Sequence, residues 1–261
     1  MTADGADVMR TRFPSFPLSI GEWTVMTRLL EAKVSAPGSW SVPSRRAVEE
    51  AEQSLRERRA LSGTRVNTDL AAVMFSLARP RTACWVHSHR ETRPRAMVAV
   101  NRRVCAAAWT EGDHVRVAPS TPRHVHSDLA LLSGLSGTSV PDGHDSFSVA
   151  GGLWHELVTQ APAASDRALQ SLALAEGVAE ERVARLTALA TAHTERVDLR
   201  VARPRNIRSW SGNEISFIRV GPDVWSVADG RGFDDSGSRA SSRAVFTRVN
   251  VGELLAGVLS S

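Results

Sequence analysis

Two histidine pairs have the spacing that could seat a transition metal, His87 with His89 and His124 with His126. Residues two apart on a strand point the same way, so each pair would supply two imidazoles of a ligand set. Zinc sites add Cys or a carboxylate at defined spacing, and no such spacing is evident with either pair. The expectation is exposed histidines and no metal. Nucleophilic chemistry finds no better support: there is no GxSxG elbow, and Ser136 between Gly134 and Gly137 misses its spacing. Gly230, Gly232 and Gly237 lack both the lysine and the following helix of a phosphate loop. No catalytic residue, no cofactor and no enzymatic activity are expected.

Arg200, Arg203, Arg205 and Arg208 crowd towards Trp210, a composition that can grip phosphates while an aromatic ring stacks a base. They also fit outward strand positions, with Arg203 and Arg205 flanking a turn at Pro204. An arginine-rich nucleic-acid-binding module is therefore the alternative function. Overall basicity adds little to it. The positive residues are 31 arginines and the single Lys33, and the formal net charge is only +4. The pI near 10.2 is high because no Tyr and only two Cys titrate between neutrality and the arginines.

Those cysteines, Cys84 and Cys105, are too few for a secreted disulfide framework. If they lie on the first and third strands of one sheet, a separation of about 10 Å exceeds the reach of a disulfide. Core thiols in a reducing, cytoplasmic setting are expected. No apolar run reaches signal-peptide or membrane-spanning length, so no membrane insertion is expected.

At 261 residues and 42% hydrophobic content the chain can bury a full core. Its organising pattern occurs twice, at residues 83–135 and 196–259: short alternating strands, tight polar turns, then one helix. This predicts an α+β fold with a central antiparallel sheet and helical bundles in two pseudo-repeated halves. Residues 1–17 read as a disordered lead and 18–261 as one domain, with halves 18–136 and 137–261 joined through the Gly and Ser residues of 133–143. Ser19 with Glu22 forms a capping box, and Leu18 with Trp23 a hydrophobic staple, so a helix starts there and gives out before Pro37. Ser44 opens a second helix with Val48, Ala51 and Leu55 inward and a charged outer face. Asn67 or Thr68 caps a third, with Leu70, Val73, Met74 and Leu77 buried and Pro80 ending it. Ser127 or Asp128 caps a short fourth helix. Residues 165–195, broken at Gly177, read as a helical hairpin, and residues 229–242 as a flexible excursion between strands.

Turns at 92–94, 101–103 and 111–113 would put Val86, Val98, Val100, Cys105, Ala107, Trp109, Val115 and Val117 on one covered face. Trp85, His87, His89, Met97, Asn101 and Arg116 would then form an amphipathic opposite face, open to solvent or to a partner. In the second copy, a turn at 221–223 groups Trp210, Ile215, Phe217, Trp225 and Val227. It leaves Ile207, Ile218, Val220 and Val224 among serines on the other face. Those four, with Trp85 and Met97, are the candidate partner-binding residues.

The same elements carry a resemblance: Leu18, Ser19 and Glu22; Val42, Pro43 and Ser44; Asp69, Leu70 and Ala71 on to Ala78, Arg79 and Pro80; the run Arg95 to Val100, the turn into Val104, and the close from Ile207 to Leu259. Together they resemble the EspG family, cytosolic chaperones associated with ESX (type VII) secretion in actinobacteria. The likeness covers nearly everything after residue 17, with a longer loop at 229–242 and more tryptophans than the family pattern. It implies a non-enzymatic chaperone that binds the exposed apolar tip of a helical PPE-type protein, usually in a PE/PPE heterodimer, and keeps it soluble for export. Self-association stays open.

Overall fold

A computed structural model describes residues 15–89, 93–138, 145–206, 209–230 and 243–260. In chain order its elements are β1 (Phe16–Ser19), α1 (Ile20–Leu29), α2 (Arg45–Glu57), β2 (Leu61–Ser62), β3 (Arg65–Val66), α3 (Thr68–Ala78), β4 (Thr82–Ser88), β5 (Ala96–Val100), β6 (Cys105–Glu111), β7 (His114–Ser120) and α4 (Val125–Leu132). Then follow β8 (Ser146–Ala150), α5 (Gly151–Gln160), α6 (Asp166–Ala175), α7 (Glu180–Ala192), β9 (Val197–Asn206), β10 (Ser209–Val220), β11 (Asp223–Gly230), β12 (Arg243–Arg248) and α8 (Val251–Ser260). The fold is mixed α+β, built on a large antiparallel sheet. Residues cluster into two compact units, Met1–Ser136 with Leu199–Glu214 and Leu255–Ser261, and Gly137–Asp198 with Ile215–Leu254.

In the first unit the strands run β1-β7-β6-β5-β4, antiparallel throughout. A strand already begins at Phe16, where the sequence suggests a disordered lead. Trp85 pairs with Met97, Val98 with Ala107, and Trp109 with Arg116. Because side chains alternate, Ala83, Met97, Ala99, Ala106, Ala108, Val115, Val117 and Leu18 share one face, where they pack with α1, α2 and α3. Cys84, Val86, Val98, Ala107 and Trp109 lie on the other face, and α4 packs against β5 and β6.

Two expectations are corrected here. Residues 96–99 and 105–109 are buried without a break, so both faces are covered rather than one. Val115 and Val117 lie opposite Val98, and Arg116 lies on its side. The reason is turn length. Glu111 pairs with His114, so the turn is the two residues Gly112–Asp113 and not three, and a one-residue slip sends every side chain of β7 to the other face. Gly112 has φ +58° and Asp113 does not turn positive, the pattern of a type II′ hairpin.

Helix α1 starts as expected. The Ser19 hydroxyl accepts from Glu22 N, and Glu22 Oε2 accepts from Ser19 N at 2.8 Å. The buried Glu22 carboxylate does more than cap. Ser54 Oγ donates to it at 2.9 Å, and Arg58 Nη1 donates to both oxygens at 2.9 and 3.1 Å, while Arg58 Nη2 reaches Pro17 O at 2.8 Å. One carboxylate thus ties β1, α1 and α2 together. The helices approach closely at Gly21, where a Cβ would stand 2.9 Å from Ala47 O. The rest of α2 is a solvated face, with Arg45–Glu49, Arg46–Glu50 and Arg56–Glu52 at spacing four. Asn67 caps α3, accepting from Asp69 N and Leu70 N. Helix α4 departs from expectation: it begins at Val125 with His124 at the cap, and Asp128 sits inside it, fully buried and accepting from Ser120 Oγ.

In the second unit β10-β11-β12-β8 form an antiparallel sheet. Ile218, Trp225, Val227, Ala244, Phe246, Phe147 and Val149 share the face that packs on α5, α6 and α7. Phe147 stacks on Phe246 at 5.1 Å, and Trp154 meets Phe246 edge-on at 4.7 Å. The pair α6 and α7 is the expected helical hairpin, with Gly177 at φ +79° between them and Val183, Leu186 and Leu189 buried. Here too the turn has two residues, Gly221–Pro222 between Val220 and Asp223. Phe217 therefore faces away from Trp225, and Val224 away from Ile218. Residues 231–242, most of the expected flexible excursion, lie outside the described residues.

Glu22→Ala should lower stability by about 2 kcal/mol in urea unfolding, because it removes the carboxylate that accepts from Ser19 N, Ser54 Oγ and Arg58. Arg56→Ala, on the solvated face of α2, should cost about 0.5 kcal/mol or less. Equal effects would contradict the anchoring role of Glu22.

Candidate partner-binding surfaces

Of the six residues singled out from the sequence, the five that are described divide into three groups. Trp85 and Met97 are cross-strand neighbours and line one cleft of about 450 Å³ in the first unit. Its other walls are Lys33, Val34, Ser35, Ala36 and Pro37 after α1, Leu77, Ala78 and Pro80 at the end of α3, and Arg93 with Pro94 before β5. Met97 is buried, and Trp85 is half-buried with its ring at the edge of the core. The segment after α1 is held in place by Gly38 N, which donates to Pro94 O at 2.6 Å, and by Trp40 Nε1, which donates to Pro37 O at 2.5 Å. Gly38 has φ +88°, and a Cβ there would lie 2.5 Å from Thr110 Cγ2, so no other residue fits. The result is a preformed apolar recess with two cationic side chains at its lip.

Val220 lines a second, more polar cleft of about 480 Å³ within the second unit, between the β10–β11 turn and the hairpin of α6 and α7. Asp166, Gln170, Thr187, Thr191, Glu195 and Arg219 supply its polar groups.

Ile218 and Val224 are corrected. Ile218 is 0% and Val224 1% exposed, so neither offers surface to a partner. The two-residue turn sets Ile218 beside Trp225 on the core face, while Val224 pairs with Arg219 on the opposite face, where Phe217 is buried as well. Ile207 lies outside the described residues, as do Arg208 and the side chains of Arg205 and Trp210. Of the arginine cluster, Arg200 is exposed, while Arg203 turns inward and donates to Thr82 Oγ1 at 3.2 Å and Leu259 O at 3.1 Å.

The residues considered for chemistry are dispersed. His87 is on β4 and His89 just beyond it, whereas His124 and His126 sit at the start of a helix and not on a strand, so spacing two does not align them. Among the described residues no group of three or more His, Cys, Asp or Glu could hold a metal ion. Both cysteines are free and buried, with β5 between their strands. Burial pushes the Cys84 thiol up to about 12 against the pull of Arg203, and raises Cys105 as well. Neither is a thiolate nucleophile near neutral pH. No described helix is long and apolar enough to cross a membrane.

No protein-family model matches the chain, and no curated protein does. Among solved structures, the chain is similar to the Mycobacterium tuberculosis type VII secretion system chaperone EspG5, solved in complex with the PE25-PPE41 dimer. The TM-score is 0.62 with 14% sequence identity, and the match covers 94% of each chain. The expected α+β architecture is therefore the fold of an EspG chaperone.

Ile218→Ala should behave as a core truncation, costing about 2–5 kcal/mol in urea unfolding. A loss near zero would return Ile218 to the surface and overturn the register of β10 and β11.

Proposed function

We propose that this chain is a cytoplasmic chaperone of a type VII (ESX) secretion system, which binds a helical PE/PPE-type pair and keeps it soluble until export. The observation that carries this reading is fold correspondence over nearly the whole length of both chains with a chaperone solved together with such a pair. The cleft under Trp85 and Met97 is suited to the task. It presents preformed apolar walls that can take up the large aliphatic or aromatic side chains of a helix tip without reorganising. Lys33 and Arg93 at its lip can meet carboxylates or helix C-terminal carbonyls. Chaperoning of this kind requires no bond to be made or broken, and the reading assigns no catalytic residue, metal or cofactor. The nucleic-acid alternative is weakened by Arg203, whose guanidinium is spent on contacts inside the protein.

The experiment is coexpression with a PE/PPE-type pair encoded beside this gene. The pair should copurify with the chain and aggregate without it. Trp85→Ala combined with Arg93→Glu should weaken the complex by about tenfold or more while leaving the melting temperature of the free chain within a few degrees. Failure to bind any neighbouring helical pair, with tight binding of single-stranded nucleic acid instead, would overturn the reading.

A further inference from the structure

Positive charge is not spread evenly along this chain. Between Leu70 and Thr110 there are seven arginines and a single acidic residue, Glu91, a balance of 7 − 1 = +6. The whole chain carries +4, so the remainder is net negative, 4 − 6 = −2. Elsewhere arginines meet carboxylates, as in Arg58–Glu22, Arg116–Glu111, Arg185–Asp145 and Arg248–Asp223. Arg79, Arg81, Arg102 and Arg103 are exposed and pair with no carboxylate among the described residues.

These four arginines come together through a small polar knot. Ser76 Oγ donates to Val104 O at 2.7 Å, Asn101 Nδ2 donates to Ser76 Oγ at 2.8 Å, and Arg81 N donates to Asn101 Oδ1 at 2.9 Å. The β5–β6 turn, residues 101–104, is thereby pinned to the C-terminal end of α3 and the start of β4. Two of the few large apolar side chains exposed among the described residues stand on this same knot, Phe75 at 42% and Val104 at 41%. Phe75 and Arg79 are one turn apart on the outer face of α3. None of these residues lines the cleft of Trp85 and Met97.

An apolar pair surrounded by unpaired guanidinium groups has the anatomy of a protein interface, an apolar centre with a charged rim. Arginines gripping a nucleic-acid backbone would instead follow a track with aromatic platforms along it, and this patch has one aromatic and no track. We propose that Phe75, Val104, Arg79, Arg81, Arg102 and Arg103 form a second docking surface, whose partner is an acidic amphipathic helical segment of another protein. The segment inserts one or two aliphatic side chains against Phe75 and Val104 and sets its carboxylates on the arginines. This surface is distinct from the cleft proposed above for the PE/PPE-type pair; the peptide-binding arm of its test stands apart from that reading, and only the copurification arm rests on it.

The test is fluorescence anisotropy of the full chain with a labelled synthetic helix that carries two Leu at spacing four flanked by four Glu. It is run beside the same peptide with Lys in place of Glu, a single-stranded oligonucleotide of equal length, and vesicles containing anionic lipid. The acidic peptide should bind and the Lys peptide should not, with affinity falling as salt rises. Phe75→Ala with Val104→Ala should weaken binding about tenfold, and Arg102→Gln with Arg103→Gln should weaken it at least as much while thermal melting stays unchanged. Copurification of a PE/PPE-type pair should be untouched by the arginine changes. Equal binding of both peptides, binding insensitive to these substitutions, preference for the oligonucleotide or the vesicles, or loss of the PE/PPE-type pair in the arginine variant would each overturn the proposal.

Discussion

The constraint on which this molecule most depends is the length of its hairpin turns. In a strand, side chains alternate, so the number of residues in a turn decides whether the returning strand shows its apolar set to the core or to water. Three hairpins here use two residues with Gly first: Gly63, Gly112 and Gly221, at φ +60°, +58° and +58°. Gly meets that demand without strain, and Pro222, confined to negative φ, can only follow it. With the register set, Val115 and Val117 join the core under α1, α2 and α3, and Ile218 joins Trp225 and Phe246 under the helices of the second unit. What is left at the surface, and hence free to bind, follows from that.

The helices add a second kind of control. Glu22 is buried and accepts from Ser19, Ser54 and Arg58, so the position of α2 against α1 rests on a hydrogen-bonded charge as well as on apolar packing. The segment between these helices is then held against the start of β5 by Gly38 and Trp40, and it becomes a wall of the cleft under Trp85. The proposed chaperone role requires an apolar surface that does not drive aggregation of the chain itself. A recess flanked by cationic side chains meets that need better than an open apolar strand, because it leaves less contiguous apolar surface exposed.

Much of this was legible from local signals. The Ser19 and Glu22 capping box, the Ser44 and Asn67 caps, the Gly177 break and the buried stripes of α2 and α3 each depend on residues a few positions apart. Strand existence was legible for the same reason. Register was not: Glu111–Gly112–Asp113 and Gly221–Pro222–Asp223 read equally well as three-residue turns, and only strand pairing distinguishes two from three. That single ambiguity moved Val115, Val117, Arg116, Trp225 and Val224 to the wrong faces and turned Ile218 from core into supposed surface. Asp128 misled in another way, since an Asp near a helix start suggests a cap, while here it is buried against Ser120 from a neighbouring strand. Trp85 and Met97 were legible as members of an unusual face. Lys33 to Pro37 were not, because a loop without periodicity gives no sign of what it covers; the one trace was Pro37 followed by Gly38.

A helical secretion substrate is proposed to be held in the cleft built on Trp85 and Met97. Hydrogen–deuterium exchange of the chain, free and in complex with its PE/PPE-type pair, tests this without altering a residue. Slowed exchange in the complex over residues 33–38 and 93–97 is the predicted result. Unchanged exchange there, with protection confined to the β10–β11 hairpin and the helices α6 and α7, would contradict it.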